Sequence, residues 1–310
     1  MRTAAAHFIL PSMFSDVLLP VFSLVAVGWG LGRALQLDPA AVGKLVFWCL
    51  SPALIFDALR TAELPVASLG LVAAFVAAHY LAMFLISLPL RRWLFPQDTD
   101  AQVATSLVLT FGNCGNLGLP ILLFAFGRTG YHVGAAFLAT NTALMATLGV
   151  AIATWQGQRS LRRPLAALFK VPWGYAVLAA GLARWAGPLP TWLARATGLL
   201  ADGAIPLLLL LLGLQLARVR PRQVARAATI LAVARLGLGG LLAWGLGWAF
   251  GVGGVLRGSL VVEGSVPTAV NSFLLAMQYG RRPDLAASAL LLSTLLSAGT
   301  LTLTLFLLQG

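Results

Sequence analysis

The hydrophobic positions of this chain form long, nearly uncharged runs that are separated by short polar turns. A run of about 20 apolar residues is the length that an α-helix needs to cross a bilayer, and it far exceeds the alternating strands of a membrane barrel. The runs cover 14–34, 40–60, 66–90, 102–126, 131–153, 171–187, 191–216, 224–250, 256–279 and 284–308, which we number spans 1 to 10. The pattern predicts an all-α polytopic membrane protein with ten transmembrane helices.

Composition supports the membrane assignment and excludes several other classes of protein. The 310 residues are 59% hydrophobic and only 10% charged, with a mean hydropathy of +0.90, which is outside the range of soluble domains. Cys49 and Cys114 lie in apolar runs, so neither a disulfide framework nor a metal cluster is predicted, and no cofactor is expected. The net charge of +12 comes from basic residues in short loops, which argues against a nucleic-acid partner.

The distribution of basic residues predicts the orientation in the membrane. Loops after spans 1, 3, 5, 7 and 9 carry 14 of the 21 Lys and Arg residues, whereas the opposite side carries 6. The positive-inside rule therefore places these five loops in the cytoplasm and both termini outside it.

The longest polar stretch, 155–170, divides the chain into two sets of five spans. Because five is odd, span 6 enters the membrane in the opposite sense to span 1, so a repeat between the halves must be inverted. Pro120 in span 4 and Pro267 in span 9 occupy corresponding positions, which predicts two inverted five-helix repeats. The predicted domains are an N-terminal extension (1–13), a first repeat (14–154), a cytoplasmic linker (155–170) and a second repeat (171–310).

Spans 4 and 9 are both interrupted by residues that break helices. Glycine permits unusual backbone dihedrals, and proline lacks an N–H group and clashes with the preceding turn. A broken helix at membrane depth usually borders a cavity, and the N-terminus of the restarted helix attracts a carboxylate. The predicted substrate-binding residues are Asn113, Gly115, Asn116, Gly118, Pro120, Ser265, Pro267 and Asn271. The alternative is a packing kink, with the glycines at a helix crossing.

Glu263 and Arg235 are charged residues that lie well inside predicted spans. Glu263 in span 9 marks an ion or proton site, because an acidic side chain at this depth is costly, or else it ties the broken helix together. Asn116, which takes the place of Glu263 when the two prolines are superposed, and Asn141 complete the predicted coupling site; Asn141 alternatively bonds to a neighbouring helix. Arg235 in span 8 either balances a negative charge, as a partner of Glu263 or of the substrate, or caps helix C-terminal carbonyls.

Several motifs resemble the auxin efflux carrier family over essentially the whole chain from Met13. They are GNCGNLGLP (112–120), SPALIF (51–56), IPLLLLLLGLQL (205–216), PTAVNSFLLA (267–276) and LLSTLLS (291–297). The resemblance implies a fold similar to that of bile acid and sodium/proton carriers. Spans 1, 2, 6 and 7 would form a scaffold that often makes a homodimer, and spans 3–5 and 8–10 would form a mobile transport domain.

The resemblance also implies a cargo and a location. Family members move organic anions such as malonate, malate and indole-acetate, and in the related bile acid carriers an acidic residue of span 9 binds Na+, to which Glu263 is similar in placement. The large loop of plant carriers is absent, and Arg (19) far outnumbers Lys (2), which favours a bacterial inner membrane.

The function predicted from these features is secondary active or facilitative transport of mono- or dicarboxylates by alternating access, with H+ or Na+ coupling through Glu263. The expected partners are the organic anion, the bilayer and a second copy of the chain. An anion channel or a membrane sensor of the same ligand is the alternative. An intramembrane enzyme is not predicted, because His7, His79 and His132 lie away from both breaks.

Overall fold

The computed structural model describes residues 14–63, 65–154, 172–219 and 225–308. The predicted N-terminal extension (1–13) and linker (155–170) lie outside these residues. Within the described ranges the chain is helical and forms no strand; an isolated antiparallel bridge joins Gly112 to Thr268.

The helices follow the hydrophobic runs closely. They are α1 (Leu19–Ala34), α2 (Pro39–Leu45), α3 (Ser51–Thr61), α4 (Val66–Leu94), α5 (Thr99–Thr110), α6 (Leu119–Leu144), α7 (Val150–Thr154), α8 (Pro172–Ala186), α9 (Thr191–Arg218), α10 (Ala225–Ala249), α11 (Gly254–Ser265), α12 (Val270–Gln278) and α13 (Pro283–Leu308). Single π-helical turns lie at Phe14–Leu18, Val46–Leu50, Cys114–Gly118 and Met145–Gly149. Side chains cap two of the helices: Asp38 accepts from the Ala40 N–H group, and Asp98 accepts from the Ala101 N–H group.

Seven continuous helical stretches in the described residues are long and apolar enough to cross a membrane. The longest, Cys114–Thr154, has 41 residues and would extend about 60 Å if straight, twice the thickness of the hydrocarbon core. It is divided at Gly127, whose φ of 61° is outside the helical region. The chain is therefore an all-α, multi-pass membrane protein.

Two apolar runs contain a break in the middle. The chain leaves helical geometry after α5, is extended at Phe111, and becomes helical again at the Cys114–Gly118 turn, which leads into α6 with Pro120 in its first turn. In the second half, α11 ends at Ser265 and α12 begins at Val270, so four residues of non-helical chain separate them.

Helix α9 packs against α1 and α3, α3 packs against α8, and α1 crosses α9 with backbone contact. At Gly28 a Cβ atom would lie 2.2 Å from the Leu210 carbonyl oxygen, and at Gly213 it would lie 2.1 Å from that of Val25. Small residues that let backbones approach in this way are typical of helix packing in membranes.

We expect Gly213→Ala to destabilise the protein, because the new methyl group would overlap the backbone of α1. Overpacking of this kind costs about 1–3 kcal/mol and should lower the Tm of the purified protein in detergent. Gly203→Ala on the same helix is the control, since its methyl group would meet no atom within 4 Å and alanine favours helix. Equal Tm values for the two variants would contradict the close crossing.

Candidate functional site

The two breaks lie side by side and pair through their backbones. The Asn113 N–H group donates to the Pro267 carbonyl over 2.8 Å, and the Ala269 N–H group donates to the Phe111 carbonyl over 3.0 Å. Buried backbone groups must find partners, and none is available in lipid. Each break therefore satisfies part of the backbone of the other.

The carbonyl groups in the last turn of α5 accept hydrogen bonds from side chains of the second half of the chain. Ser272 Oγ donates to Leu107 (2.9 Å), Thr268 Oγ1 to Val108 (3.2 Å) and Arg235 Nη1 to Leu109 (3.2 Å). The Val108 and Leu109 carbonyls are of the kind that a helix leaves without intrahelical partners at its C-terminus, and that of Leu107 also accepts from the Phe111 N–H group over 3.4 Å. The end of α5 is thus capped by groups of α10, α12 and the second break.

Arg235 connects the C-terminal ends of both interrupted helices. Its side chain is fully buried, and Nε donates to the carbonyl of Val266, the residue that follows α11, over 3.2 Å. Among the described residues none of the ion pairs includes Arg235. Of the roles that the sequence left open, the geometry is that of a guanidinium capping helix C-terminal carbonyls.

A cavity of about 620 Å³ lies beside the crossing. Its polar lining consists of Ser51, Asn113, Asn116, Asn141, Gln215 and Asn271, and its apolar lining includes Phe47, Trp48, Trp173, Leu208 and Phe273. The charged residues among its described lining are Lys44 and Arg218, both basic. The cavity therefore offers amide groups and positive charge, without an acidic residue in that lining.

Several amide groups in the cavity wall have capacity for a ligand. The side-chain nitrogen of Asn113 is buried and has no hydrogen-bond partner among the described residues. The side-chain oxygen of Gln215 is likewise buried and has no partner among them. Asn141 accepts from the Tyr80 hydroxyl through Oδ1 over 2.7 Å, which leaves its NH₂ group as the end available for a ligand.

The structure brings some of the predicted site residues together around the cavity and places others behind its wall. Asn113, Gly115, Asn116, Asn141 and Asn271 line the cavity, whereas Gly118, Pro120, Ser265, Pro267, Glu263 and Arg235 are not part of its lining. Two of these residues already use their polar groups in hydrogen bonds within the protein. Ser265 Oγ donates to the Val261 carbonyl over 2.7 Å, and the Pro267 carbonyl accepts from the Asn113 N–H group.

Glu263 is 1% exposed and lies against two glycines. A Cβ atom at Gly118 would be 2.3 Å from Oε2, and one at Gly134 would be 3.4 Å from Oε1. Neither carboxyl oxygen has a hydrogen-bond partner among the described residues. The carboxyl group is thus packed tightly against the backbone of the Cys114–Gly118 turn without a donor.

These surroundings do not fit a sodium ion at Glu263. A hard cation needs several oxygen ligands around it, and the carboxyl group meets glycine backbone on two sides. The carbonyls at the breaks could supply further oxygens, but those of Leu107, Val108, Leu109, Phe111, Val266 and Pro267 already accept hydrogen bonds from protein groups. These carbonyls at the breaks are bonded to protein donors and not to an ion.

Four polar or charged side chains of the cavity lining were not among the predicted site residues: Lys44, Ser51, Gln215 and Arg218. Gln215 had a usable signal, because it is an amide within the otherwise apolar run IPLLLLLLGLQL. Lys44 and Arg218 entered the prediction only as loop charges. Their contribution to a cavity depends on how helices pack, which a hydrophobic pattern does not specify.

Membrane-crossing helices, two of them broken side by side next to a cavity with amide groups in its wall, are an arrangement typical of membrane transport proteins. The sequence matches the model of the family described as "Membrane transport protein" over residues 13–168 and 158–305. The chain belongs to this family, and the resemblance to auxin efflux carriers is confirmed.

Two relatives align with the chain over nearly their full lengths. A protein of Methanothermobacter thermautotrophicus named "Uncharacterized transporter" is 29% identical over 297 residues, which are 93% of this chain and 96% of the relative. A protein of Rhizobium meliloti named "Putative malonate transporter" is 28% identical over 315 residues, which are 96% of each chain. The family and these names indicate a transporter and not an enzyme.

Proposed function

We propose that the protein is a secondary carrier of small organic carboxylates that works by alternating access. The observation that carries this proposal is the buried, unpartnered side-chain nitrogen of Asn113 in the wall of a 620 Å³ cavity. An unpaired buried donor costs about 1–3 kcal/mol, and a carboxylate oxygen would remove that cost. Dissociation of the carboxylate would restore the cost of the unpaired donor. This limits the net gain on binding, which suits a carrier that must release its substrate.

Four further sources of positive potential favour an anion in this cavity. Lys44 and Arg218 line it, and helix α12 begins beside it with Val270 and Asn271 in the wall. Arg235 lies directly behind the wall, since a Cβ atom at Gly112 would be only 2.2 Å from its Nη2 atom. The field of these groups would raise the local concentration of anions.

Malonate is the first substrate to test, because one relative is named for it. Malate and indole-acetate follow, since the cavity is much larger than a three-carbon dicarboxylate and has indole and phenyl rings in its lining.

We further propose that the helices make ten membrane crossings, arranged as two inverted five-helix repeats. The division at Gly127 turns the longest stretch into two crossings, and α5 and α11 combine with the helices after each break. The scaffold would consist of α1–α3, α8 and α9, through which two copies associate, and the remaining helices would form the transport domain.

The cavity opens on the side of the basic loops, which we assign to the cytoplasm of a bacterial cell with both termini outside. Its lining includes Pro39 at the start of α2, Arg218 at the end of α9 and Met277 near the end of α12. A smaller polar pocket around Glu63 and His132 lies at the opposite end of span 2. The structure would then correspond to the state that is open to the cytoplasm.

Counterflow in proteoliposomes tests the carrier proposal. We expect the wild-type protein in proteoliposomes to exchange labelled malonate, malate or indole-acetate in a saturable manner. In Asn113→Ala the half-saturating substrate concentration should rise roughly 10–100-fold, because one hydrogen bond to a charged group is lost. Gln278→Ala, an exposed amide outside the cavity lining, is the matched control and should behave like wild type. Flux without counterflow would indicate a channel, and binding without flux would indicate a sensor.

Cysteine labelling tests the open state and the orientation. In a Cys49→Ser, Cys114→Ser background, Asn271→Cys should react with a membrane-impermeant thiol reagent in inside-out vesicles and much more slowly in right-side-out vesicles. Glu63→Cys, which is exposed at the opposite pocket, should show the reverse preference. The same preference at both positions would contradict the assignment.

Coupling of transport to protons through Glu263 has its own test. An imposed pH gradient should stimulate net uptake by the wild-type protein, because a carboxyl group can carry a proton between the two states. Glu263→Gln should retain counterflow but lose the response to the gradient. Gradient-independent uptake by both proteins would remove the coupling role.

A further inference from the structure

The crossing contains two helix C-termini whose charge must be balanced. Helices α5 and α11 end at the breaks, and each helix carries about half an elementary negative charge at its C-terminal end. The carbonyl of Leu109 would accept from the N–H group of residue 113 in a continuous helix, but that group donates to Pro267 instead. A cation at this point would satisfy both the carbonyls and the helix dipoles.

Arg235 occupies that point. Nη1 lies 3.2 Å from the Leu109 oxygen, and Nε lies 3.2 Å from the Val266 oxygen, so one guanidinium group bonds to both helix ends. The fixed fork of a guanidinium group suits this arrangement, whereas an ammonium group is a point charge.

The surrounding backbone leaves space for the guanidinium group and for little else. Glycines at positions 112 and 239 face it, and a Cβ atom there would lie 2.2 Å from Nη2 and 3.4 Å from Nη1, respectively. Helix α10 is brought close to α11 at the same level, since a Cβ atom at Gly239 would also lie 2.7 Å from the Gly264 carbonyl oxygen. The close packing of α10 on α11 therefore sets the depth at which Arg235 reaches the crossing.

We propose that Arg235 is the resident cation of the crossing and takes the place of a metal ion. The broken helices would be held together by a protein side chain in every state, so neither folding nor substrate binding would require Na+. Arg235 is a positioning residue in this proposal: it acts on the substrate cavity through Gly112 and the backbone of the two breaks, without being part of the cavity lining.

The first test uses the wild-type protein and needs no transport. An ion that binds only the folded protein raises its Tm. Replacing NaCl by KCl or by choline chloride at constant ionic strength should shift the Tm of the purified protein by less than about 1 °C. A Tm that rises with Na+ concentration above both controls would overturn the proposal. Because this readout is independent of substrate, it distinguishes failure of this inference from failure of the carrier proposal.

The second test is chemical rescue. Arg235→Ala should lower the Tm by about 5 °C or more, because the buried carbonyls of Leu109 and Val266 lose their donor. Methylguanidinium at about 20 mM should recover part of that loss, since it fits the space that the variant leaves and binds the folded form. Tetramethylammonium, which has no N–H donor, should not.

Leu236→Ala is the matched control, because Leu236 is the next residue of α10, is 5% exposed, and leaves an apolar cavity. Methylguanidinium should not raise its Tm, and equal effects on both variants would refute the cation role.

Arg235→Lys, which keeps the charge, should have an intermediate Tm and serves if the alanine variant cannot be purified. If Na+ raises the Tm of Arg235→Lys, the guanidinium group of the wild-type protein occupies a position that a cation can fill. If Arg235→Lys is as stable as wild type, the need for a guanidinium group is refuted.

Discussion

The structure depends on one constraint: two helices are interrupted inside the protein, and the backbone groups that the interruptions release have to be satisfied without water. Asn113 and Ala269 donate to carbonyls of the opposite break, and Arg235, Thr268 and Ser272 donate to the exposed end of α5. None of these partners is local in the sequence. Each break is therefore stable only when the other is in place, which makes the crossing a single structural unit.

The same constraint separates charge across the crossing. Helices that end at the breaks present carbonyls, and a cationic side chain lies against them. Helices that begin after the breaks present N–H groups and amide side chains, and the cavity lies beside these. A cavity with N–H and amide groups in its wall and a buried arginine are thus two results of breaking the helices at one depth.

The sequence predicted the helices well because hydrophobic length is a local property. The bounds of α9, Thr191–Arg218, and of α13, Pro283–Leu308, agree with the predicted 191–216 and 284–308 to within two residues. It also predicted where the chain would be interrupted, since proline and glycine act on their own backbone. It could not predict which residues near the breaks face the cavity: Asn116 and Gly118 lie in the same π-helical turn, yet Asn116 lines the cavity and Gly118 lies against Glu263. That difference depends on the rotation of the turn, which the packing of α11 determines.

The position of Glu263 suggests how a change of protonation could reach the substrate without any contact between the two. The carboxyl group touches Gly118, and the turn that contains Gly118 also contains Gly115 and Asn116, which line the cavity. An ionised carboxyl group without donors is costly in a buried site, and N–H groups of this turn would become donors only if the turn rotated, because those of Leu117 and Gly118 already donate to the Asn113 carbonyl. Such a rotation would move the cavity wall directly. Alanine at position 118 would place a methyl group in the space of the carboxyl oxygens, so the glycine is a point of close contact between Glu263 and the turn that lines the cavity.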